Sequence, residues 1–170
     1  MKKFTIAFAV LFVIIFGCKK IDENNGGGLC ACSPVQSTAY LNLVIKNAGG
    51  EDLLSSTTTG SFSQSQILLY SKDANGIIKQ ISFSIRPPFS YGGNQFDYYQ
   101  LMSQEIAILA KSIDNTYYLK LGNQAPYEVN LQVNSNLSKV EKVLIDKKEV
   151  PKETGKVATY YGMNIYYLNL

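Results

Sequence analysis

Apolar and polar side chains alternate with a period of two over most of the chain from Thr38 onward. Residues 127–133 read Tyr-Glu-Val-Asn-Leu-Gln-Val, and residues 41–45, 81–85 and 117–121 show the same alternation. Successive side chains of a β-strand point to opposite faces of the sheet, so this pattern predicts strands with one buried and one solvated face. A long helical pattern, which would repeat every 3.6 residues, is missing from the sequence.

Further strands and turns complete a regular β pattern. Additional strands are predicted at residues 66–71, 139–146 and 157–170, the last with a break at Gly162. Asp73-Ala74-Asn75-Gly76 has the composition of a hairpin turn. Seven or more short strands predict an all-β domain built as an antiparallel β-sandwich, with immunoglobulin-like topology as one arrangement and a barrel as the alternative.

One stretch does not fit the β pattern. Residues 103–111 begin with a serine suited to capping a helix and continue with good helix formers. We expect either one short helix or a strand there, and at most one helix in the domain.

The first 17 residues have the composition of a secretion signal. Met1-Lys2-Lys3 is basic, and residues 4–16 form an uncharged apolar run that ends at Gly17-Cys18. A membrane-spanning helix needs about 20 apolar residues, and Lys19 and Lys20 stop this run well short of that length. We therefore predict that residues 1–17 are removed.

Residues 15–18, Ile-Phe-Gly-Cys, resemble the lipobox of bacterial lipoprotein signal peptides. The resemblance implies that a diacylglycerol is attached to the sulfur of Cys18, that cleavage occurs just before it, and that the new N-terminus is acylated. Each buried methylene contributes about 0.8 kcal/mol, so two or three acyl chains would hold the protein on a membrane. An uncleaved membrane anchor or a plain secretory signal is the alternative.

Residues 18–37 are predicted to form a flexible tether between this lipid and the β-sandwich of residues 38–170. They lack apolar periodicity and contain Gly26-Gly27-Gly28 and Pro34. Their charged residues 19–23 resemble the stretch that follows the cysteine in surface-exported lipoproteins of Bacteroidota, and residues 38–54 resemble the first strand and turn of small lipoproteins from that group. The resemblance implies an outer-membrane lipoprotein, on the periplasmic face or the cell surface, with no assigned reaction.

Within that first turn, Asp52 follows Gly49-Gly50 and precedes Leu53 and Leu54. We expect Asp52 to accept backbone hydrogen bonds while the two leucines fill the edge of the sandwich. Calcium or ligand binding is the alternative, but hard cations need several clustered oxygens and only Glu51 is near.

The absence of histidine excludes Ser/His/Asp and Cys/His catalytic arrangements and every His-ligated metal site. Cys30 and Cys32 lie in the tether and are interpreted either as a disulfide, local or intermolecular, or as inert thiols, because two cysteines alone make a poor zinc site. We therefore expect no metal, no cofactor and no catalytic activity.

The net charge argues against nucleic acid as a partner. The chain carries 16 basic and 13 acidic residues, and loss of Lys2 and Lys3 leaves 14 basic ones, a formal charge of +1. Because no basic stripe with interleaved aromatic residues is present, binding to DNA or RNA is not expected.

The most informative stretch for function is residues 86–99, which contain five aromatic side chains, Arg86 and several turn formers that are expected to prevent a regular strand. Aromatic loops on a rigid sandwich commonly bind ligands, through stacking on sugars or anchoring of a protein partner. The candidate binding residues are Phe89, Tyr91, Phe96, Asp97, Tyr98 and Tyr99. The structural interpretation, which we favour, is that Phe89, Phe96 and one of Tyr98 or Tyr99 only cover the end of the sandwich.

These observations predict a lipid-anchored envelope protein that acts as a binding or interaction module. Its partner would be a glycan or another envelope protein. A structural, fimbrial-type subunit is the other alternative, because residues 160–170 have apolar side chains on both faces and would suit pairing with a second subunit.

We predict lipid attachment at Cys18. A fatty-acid probe should label the wild-type protein in cells and should not label the Cys18→Ala variant. Equal labelling of the two proteins would contradict lipidation at this residue.

Overall fold

A computed structural model describes residues 38–157 and 164–170. Within these ranges, the chain forms twelve β-strands, a short α-helix and one 3₁₀ turn (Gln64–Gln66). Lys156 and Val157 are also helical, so the last predicted strand does not begin at residue 157. The predicted signal peptide, Cys18, the predicted tether with Cys30 and Cys32, and residues 158–163 of the last predicted strand lie outside the described residues.

The strands form two main sheets and one separate hairpin. The small sheet contains, in spatial order, β12 (Ile165–Asn169), β1 (Leu41–Lys46), β7 (Gln100–Ser103) and β4 (Ser84–Arg86). The large sheet contains β11 (Lys148–Glu149), β10 (Val140–Ile145), β9 (Tyr127–Val133), β8 (Tyr117–Leu121), β2 (Ile67–Lys72) and β3 (Ile78–Gln80). The aromatic hairpin consists of β5 (Phe89–Tyr91) and β6 (Asn94–Phe96).

One hydrophobic core lies between the two main sheets. Leu43 and Leu101 from the small sheet and Leu69, Leu119 and Leu131 from the large sheet belong to a single buried cluster. These are the inward positions of the predicted alternation, and their polar neighbours, such as Lys120 and Gln132, point to the other face. The predicted all-β sandwich fold is confirmed, and the linear strand orders exclude the barrel alternative for the described strands.

Strand pairing is antiparallel with one exception. β1 pairs in parallel with β12, with Asn42 opposite Ile165 and Lys46 opposite Asn169. In the large sheet, β8 to β11 follow one another as a meander, so this order differs from the strand order of immunoglobulin domains.

Residues 103–111 form the short helix rather than a strand. α1 (Gln104–Leu109) begins after Ser103, whose hydroxyl accepts a hydrogen bond from the Ile106 N–H as a capping serine does. Ile106 and Ala107 face the core. Of the two alternatives for residues 103–111, the helix indicated by the capping serine is the one that forms.

The prediction of a single strand over residues 81–85 was wrong. Ile81 is fully buried and bonded to Leu69 of the large sheet, whereas Ser84 begins β4 of the small sheet. Between them, the Ser82 N–H donates to the Glu105 carboxylate and the Ser82 carbonyl accepts from the Ser103 hydroxyl. The chain crosses here from one sheet to the other. Apolar residues on each side of the crossing pack into the core, so the sequence alternates as in a strand although no continuous strand is present.

Asp52 joins two distant segments. One oxygen of its buried carboxylate accepts the Leu54 N–H at 2.9 Å, and the other accepts the Tyr99 N–H at 2.6 Å. Leu53 and Leu54 are buried in the core, as predicted for this turn. The bond to Tyr99 was not expected from the sequence, and it fixes the base of the aromatic stretch to the first loop.

We expect Asp52→Ala to lower the free energy of unfolding by about 3 kcal/mol, because two buried N–H groups lose a charged acceptor. Urea unfolding at pH 7 measures this change. Asp114→Ala is the matched control, since Asp114 is exposed and bonds only within its own turn; it should change stability by about 0.5 kcal/mol or less. Equal stability of the two variants would contradict the role of Asp52.

Candidate binding cleft

The small sheet is covered on its outer face as well as its inner one. Leu43 and Ile45 of β1 point into the main core, while Val44 between them joins a second buried cluster with Ile165, Phe96 and Val157. Val44 and Ile165 come from the sheet, Phe96 from the aromatic hairpin, and Val157 from the segment that precedes residues 158–163. The aromatic stretch therefore covers the outer face of this sheet rather than an end of the sandwich.

The aromatic hairpin turns at two glycines. Gly92 and Gly93 have φ angles of 56° and 79°, and a two-residue hairpin loop of type I′ needs positive φ at both positions. The turn formers in this stretch were expected to prevent regular strands, but here they connect β5 to β6, with Phe89 opposite Phe96 and Tyr91 opposite Asn94. The strands were missed because each is only three residues long.

Four aromatic rings form a continuous series across the outer face of the small sheet. The ring centroids of Phe89 and Phe96 are 5.6 Å apart, Phe96 meets Tyr98 edge-on at 5.7 Å, and Tyr98 meets Tyr167 edge-on at 6.2 Å. Such contacts stabilise the packing beyond simple burial of area. These rings cover the outer face of the small sheet.

The other predicted site residues have different surroundings. Tyr99 packs against the main core, on the opposite side from Tyr98. Tyr91, at the end of β5, is 43% exposed, and Asp97 is exposed. Of the six candidates, Phe96, Asp97 and Tyr98 line one cleft, whereas Phe89, Tyr91 and Tyr99 do not.

This cleft has a volume of about 460 Å³ and lies between two segments of the chain. Its first wall is the end of the aromatic hairpin, and its second wall is the segment that runs beside β12. The lining residues are Gly93, Asn94, Gln95, Phe96, Asp97 and Tyr98 on the first wall, and Glu153, Gly155, Lys156 and Val157 on the second.

Hydrogen bonds and charges hold the second wall in place. The Glu153 N–H donates to the Ile165 carbonyl, and the Tyr167 N–H donates to the Pro151 carbonyl, so this segment follows the outer edge of β12. The Glu153 carboxylate accepts bonds from the Tyr167 hydroxyl and the Gly155 N–H. The Lys46 ammonium lies 3.6 Å from the Tyr98 ring centroid and 4.5 Å from that of Tyr167, within the range of a cation–π interaction.

These contacts set two pKa values. Burial acts to raise the pKa of Glu153, but the bonds from the Tyr167 hydroxyl and from backbone N–H groups, together with Lys46, outweigh it, so its pKa lies below the ordinary value. Burial, reinforced by the neighbouring Glu153, raises the pKa of the Tyr167 hydroxyl. At neutral pH, Glu153 is therefore an ionised acceptor and Tyr167 a neutral donor.

The groups exposed in the cleft suit a polar ligand. Asn94 and Gln95 offer amide donors and acceptors, Asp97 offers a carboxylate, and Lys156 carries a positive charge. Over residues 38–157 and 164–170, no group of three His, Cys, Asp or Glu side chains could hold a metal ion.

A larger depression of about 690 Å³ lies beside the 3₁₀ turn and the crossing at Ser82. Its lining includes amide side chains, Phe83 and several aliphatic residues, and its one charged residue is Lys120. We favour the smaller cleft as the site, because charged side chains of both signs, Asp97, Glu153 and Lys156, lie there beside amide and aromatic groups.

Sequence reasoning missed the second wall. Glu153 and Lys156 are more than fifty positions from the aromatic stretch, and only Pro151 and Gly155 mark the segment as something other than a strand. Nothing local indicates that it lies beside Phe96. The pairing of β1 with β12 brings them together.

No protein-family model matches the chain, and no curated protein or solved structure is significantly similar to it. Among the helices of the described residues, none is long and apolar enough to cross a membrane.

We expect the Glu153–Tyr167 bond to stabilise the protein at neutral pH. Because the folded pKa of Glu153 is depressed, this contribution is present above its unfolded pKa of about 4.3 and is lost as the pH falls through the folded value. Glu153→Gln should therefore lower the melting temperature by about 2–4 °C at pH 7, since the charged acceptor is the stronger one.

The difference from wild type should shrink as the pH is lowered from 5 to 3, which thermal melts across that range can measure. Glu141→Gln, at an exposed position on β10, is the control and should melt like the wild type at each pH. A gap that stays constant with pH would show that the carboxylate charge is irrelevant.

Proposed function

We propose that this chain is a lipid-anchored protein of the bacterial cell envelope whose β-sandwich is a non-catalytic binding module. Its ligand site would be the cleft between the aromatic hairpin and the segment of Glu153 and Lys156. The observation that carries this proposal is the convergence, on one face of a doubly covered sheet, of amide, charged and aromatic side chains from segments far apart in the sequence.

The support around the cleft favours binding. Binding residues are often found on loops that a rigid scaffold positions. Here the first wall is fixed at its base by the bond between Asp52 and the Tyr99 N–H, and the second wall is bonded to β12. Fixing the base of each wall limits the conformational entropy that is lost when a ligand binds.

The chemistry of the cleft is better suited to binding than to proton transfer. The Glu153 carboxylate accepts bonds from the Tyr167 hydroxyl of β12 and the Gly155 N–H, and its lowered pKa makes it a weak base. The chain has no histidine to take that role. A general base would need a pKa near the working pH.

A lipid on Cys18 and a flexible segment of residues 18–37 would place the domain near a membrane without pressing it onto the surface. A flexible chain of that length spans about 25 Å on average. We propose the outer membrane as the location, on the basis of the lipobox and the charged residues that follow it.

The structural-subunit alternative has less support from the last strand. β12 lies between β1 on one side and the bridge of Lys152 to Tyr166 on the other. Its apolar residues on both faces are used within the chain, by Ile165 in the outer cluster and Leu168 in the main core. Pairing with a second subunit is not needed to explain them.

The test is binding of the full chain to a glycan array and to a peptide array. We expect ligands on one of the two arrays, and a loss of affinity of about tenfold or more in the Asn94→Ala/Asp97→Ala double variant, because two hydrogen-bonding side chains leave the cleft. The matched control is Asp114→Ala/Asn123→Ala, which removes the same two residue types at exposed positions outside the cleft. Failure of the wild type to bind on either array, or equal loss in both double variants, would refute the proposal.

A further inference from the structure

Three buried polar atoms without a hydrogen-bond partner stand out in the part of the chain that the structure describes. They are both amide atoms of Gln100, Nε2 and Oε1, and the Asn42 Oδ1. Gln100 is 0% exposed and Asn42 is 1% exposed. A buried amide without a hydrogen-bond partner is costly, so native structures rarely contain one.

All three atoms belong to the outer face of the small sheet. Leu43 and Leu101 are opposite one another in β1 and β7, and both point into the main core. The alternation of a strand therefore directs Asn42 and Gln100 to the other face, the one that carries Val44 and Ile165. The wholly unpaired amide of Gln100 and the unpaired Oδ1 of Asn42, whose Nδ2 donates to the Tyr40 and Asn164 carbonyls, give this face a buried polar site beside Val44 and Ile165.

The aromatic hairpin covers this face but is not part of the small sheet. β5 and β6 form a two-stranded sheet of their own, and the rings of Phe89 and Phe96 pack against the layer that contains Val44 and Ile165. The hairpin can therefore lift without breaking the strand pairing of the small sheet. Its base stays in place, because the Tyr99 N–H is bonded to Asp52.

The cleft leads towards this polar site. Phe96 and Tyr98 line the cleft, and Tyr98 precedes Gln100 by two positions, which places both on the same side of the extended chain. Outward movement of these two rings would extend the cleft to the amide of Gln100.

We propose that the aromatic hairpin is a lid, and that the ligand of the cleft is a neutral saccharide unit whose hydroxyl groups bond to Gln100 and Asn42 beneath it. This inference rests on the proposed binding function and names its ligand class. A hydroxyl group both donates and accepts, which matches an amide with both atoms unpaired. The rings of Phe89 and Phe96 would stack on the apolar face of the sugar.

The two buried amides favour a neutral ligand beneath the lid, while the charged residues Asp97, Glu153 and Lys156 line the cleft outside it. Asn42 and Gln100 carry no charge, and a charged group placed beneath the lid would need an opposite charge to compensate its lost hydration. Arg86, which pairs with Gln100 across β4 and β7, has its guanidinium 4.0 Å from the Phe89 ring centroid and packs against the lid itself.

The first experiment examines the free protein. Gln100→Met replaces the amide with an apolar side chain of similar shape, so we expect the melting temperature of the full chain to rise by about 2–6 °C. Gln132→Met, on the exposed face of β9, is the matched control and should leave it unchanged. A fall in the melting temperature of Gln100→Met would overturn the proposal, because it would show that the amide has a partner in the free protein.

The second experiment measures binding to neutral and acidic oligosaccharides on a glycan array. We expect the wild type to bind neutral glycans, Gln132→Met to bind equally, and Gln100→Met to lose about tenfold or more in affinity although it is folded and more stable.

Amide hydrogen exchange at Ser90 and Gln95, which pair within the hairpin, should slow when the glycan is bound, because the ligand holds the lid closed.

The outcomes separate this inference from the proposed function. Binding of peptides alone, binding of acidic glycans alone, or undiminished glycan binding by Gln100→Met would overturn the saccharide and lid assignment and leave the binding function of the cleft intact. No binding on either array would overturn both.

Discussion

The small sheet has buried apolar residues on both faces, and much of the remaining structure follows from that constraint. Its inner face meets the large sheet in the main core, as in any sandwich. Its outer face, with Val44 and Ile165, would expose apolar surface to water unless something covered it. The aromatic hairpin and the segment before residue 158 provide that cover, and the gap between these two pieces is the cleft.

Asp52 and Glu153 have corresponding roles at the two sides of this cover. Each is a carboxylate that accepts two hydrogen bonds, and in each case one bond is local and one reaches a distant element: Asp52 bonds Leu54 and Tyr99, and Glu153 bonds Gly155 and Tyr167. Charged acceptors make stronger hydrogen bonds than neutral ones, so these two residues position loops that have few strand contacts of their own.

The fold could be predicted from the sequence where one face of a strand is polar. Residues 117–121 and 127–133 alternate without interruption and are strands β8 and β9. Prediction failed where the period-two signal came from two sheets at once, at residues 81–85, and where strands have only three residues, as in the aromatic hairpin. In both cases the local sequence does not reveal the arrangement, because the arrangement depends on packing between distant segments.

Of the two walls of the cleft, only the first could be predicted from the sequence. The aromatic residues stand out in the sequence because Phe96, Asp97 and Tyr98 are adjacent and surrounded by turn formers. Glu153 and Lys156 do not, and Gln100 could be noticed only as a polar residue beside Leu101 in a buried strand. What they share is a position on the outer face of one sheet, which is a property of the strand order and not of the local sequence.

The parallel pairing of β1 with β12 also bears on how the domain acquires its structure. Residue 42 pairs with residue 165, so the small sheet cannot close until almost the whole domain is available. Contacts between such distant residues slow folding, because a long loop must be ordered first. Until that happens, β1 would present an unpaired edge and an uncovered outer face, and the cleft would not yet exist. Assembly of the cleft would thus be among the last events of folding, so a chain that is still incomplete or only partly folded would lack it.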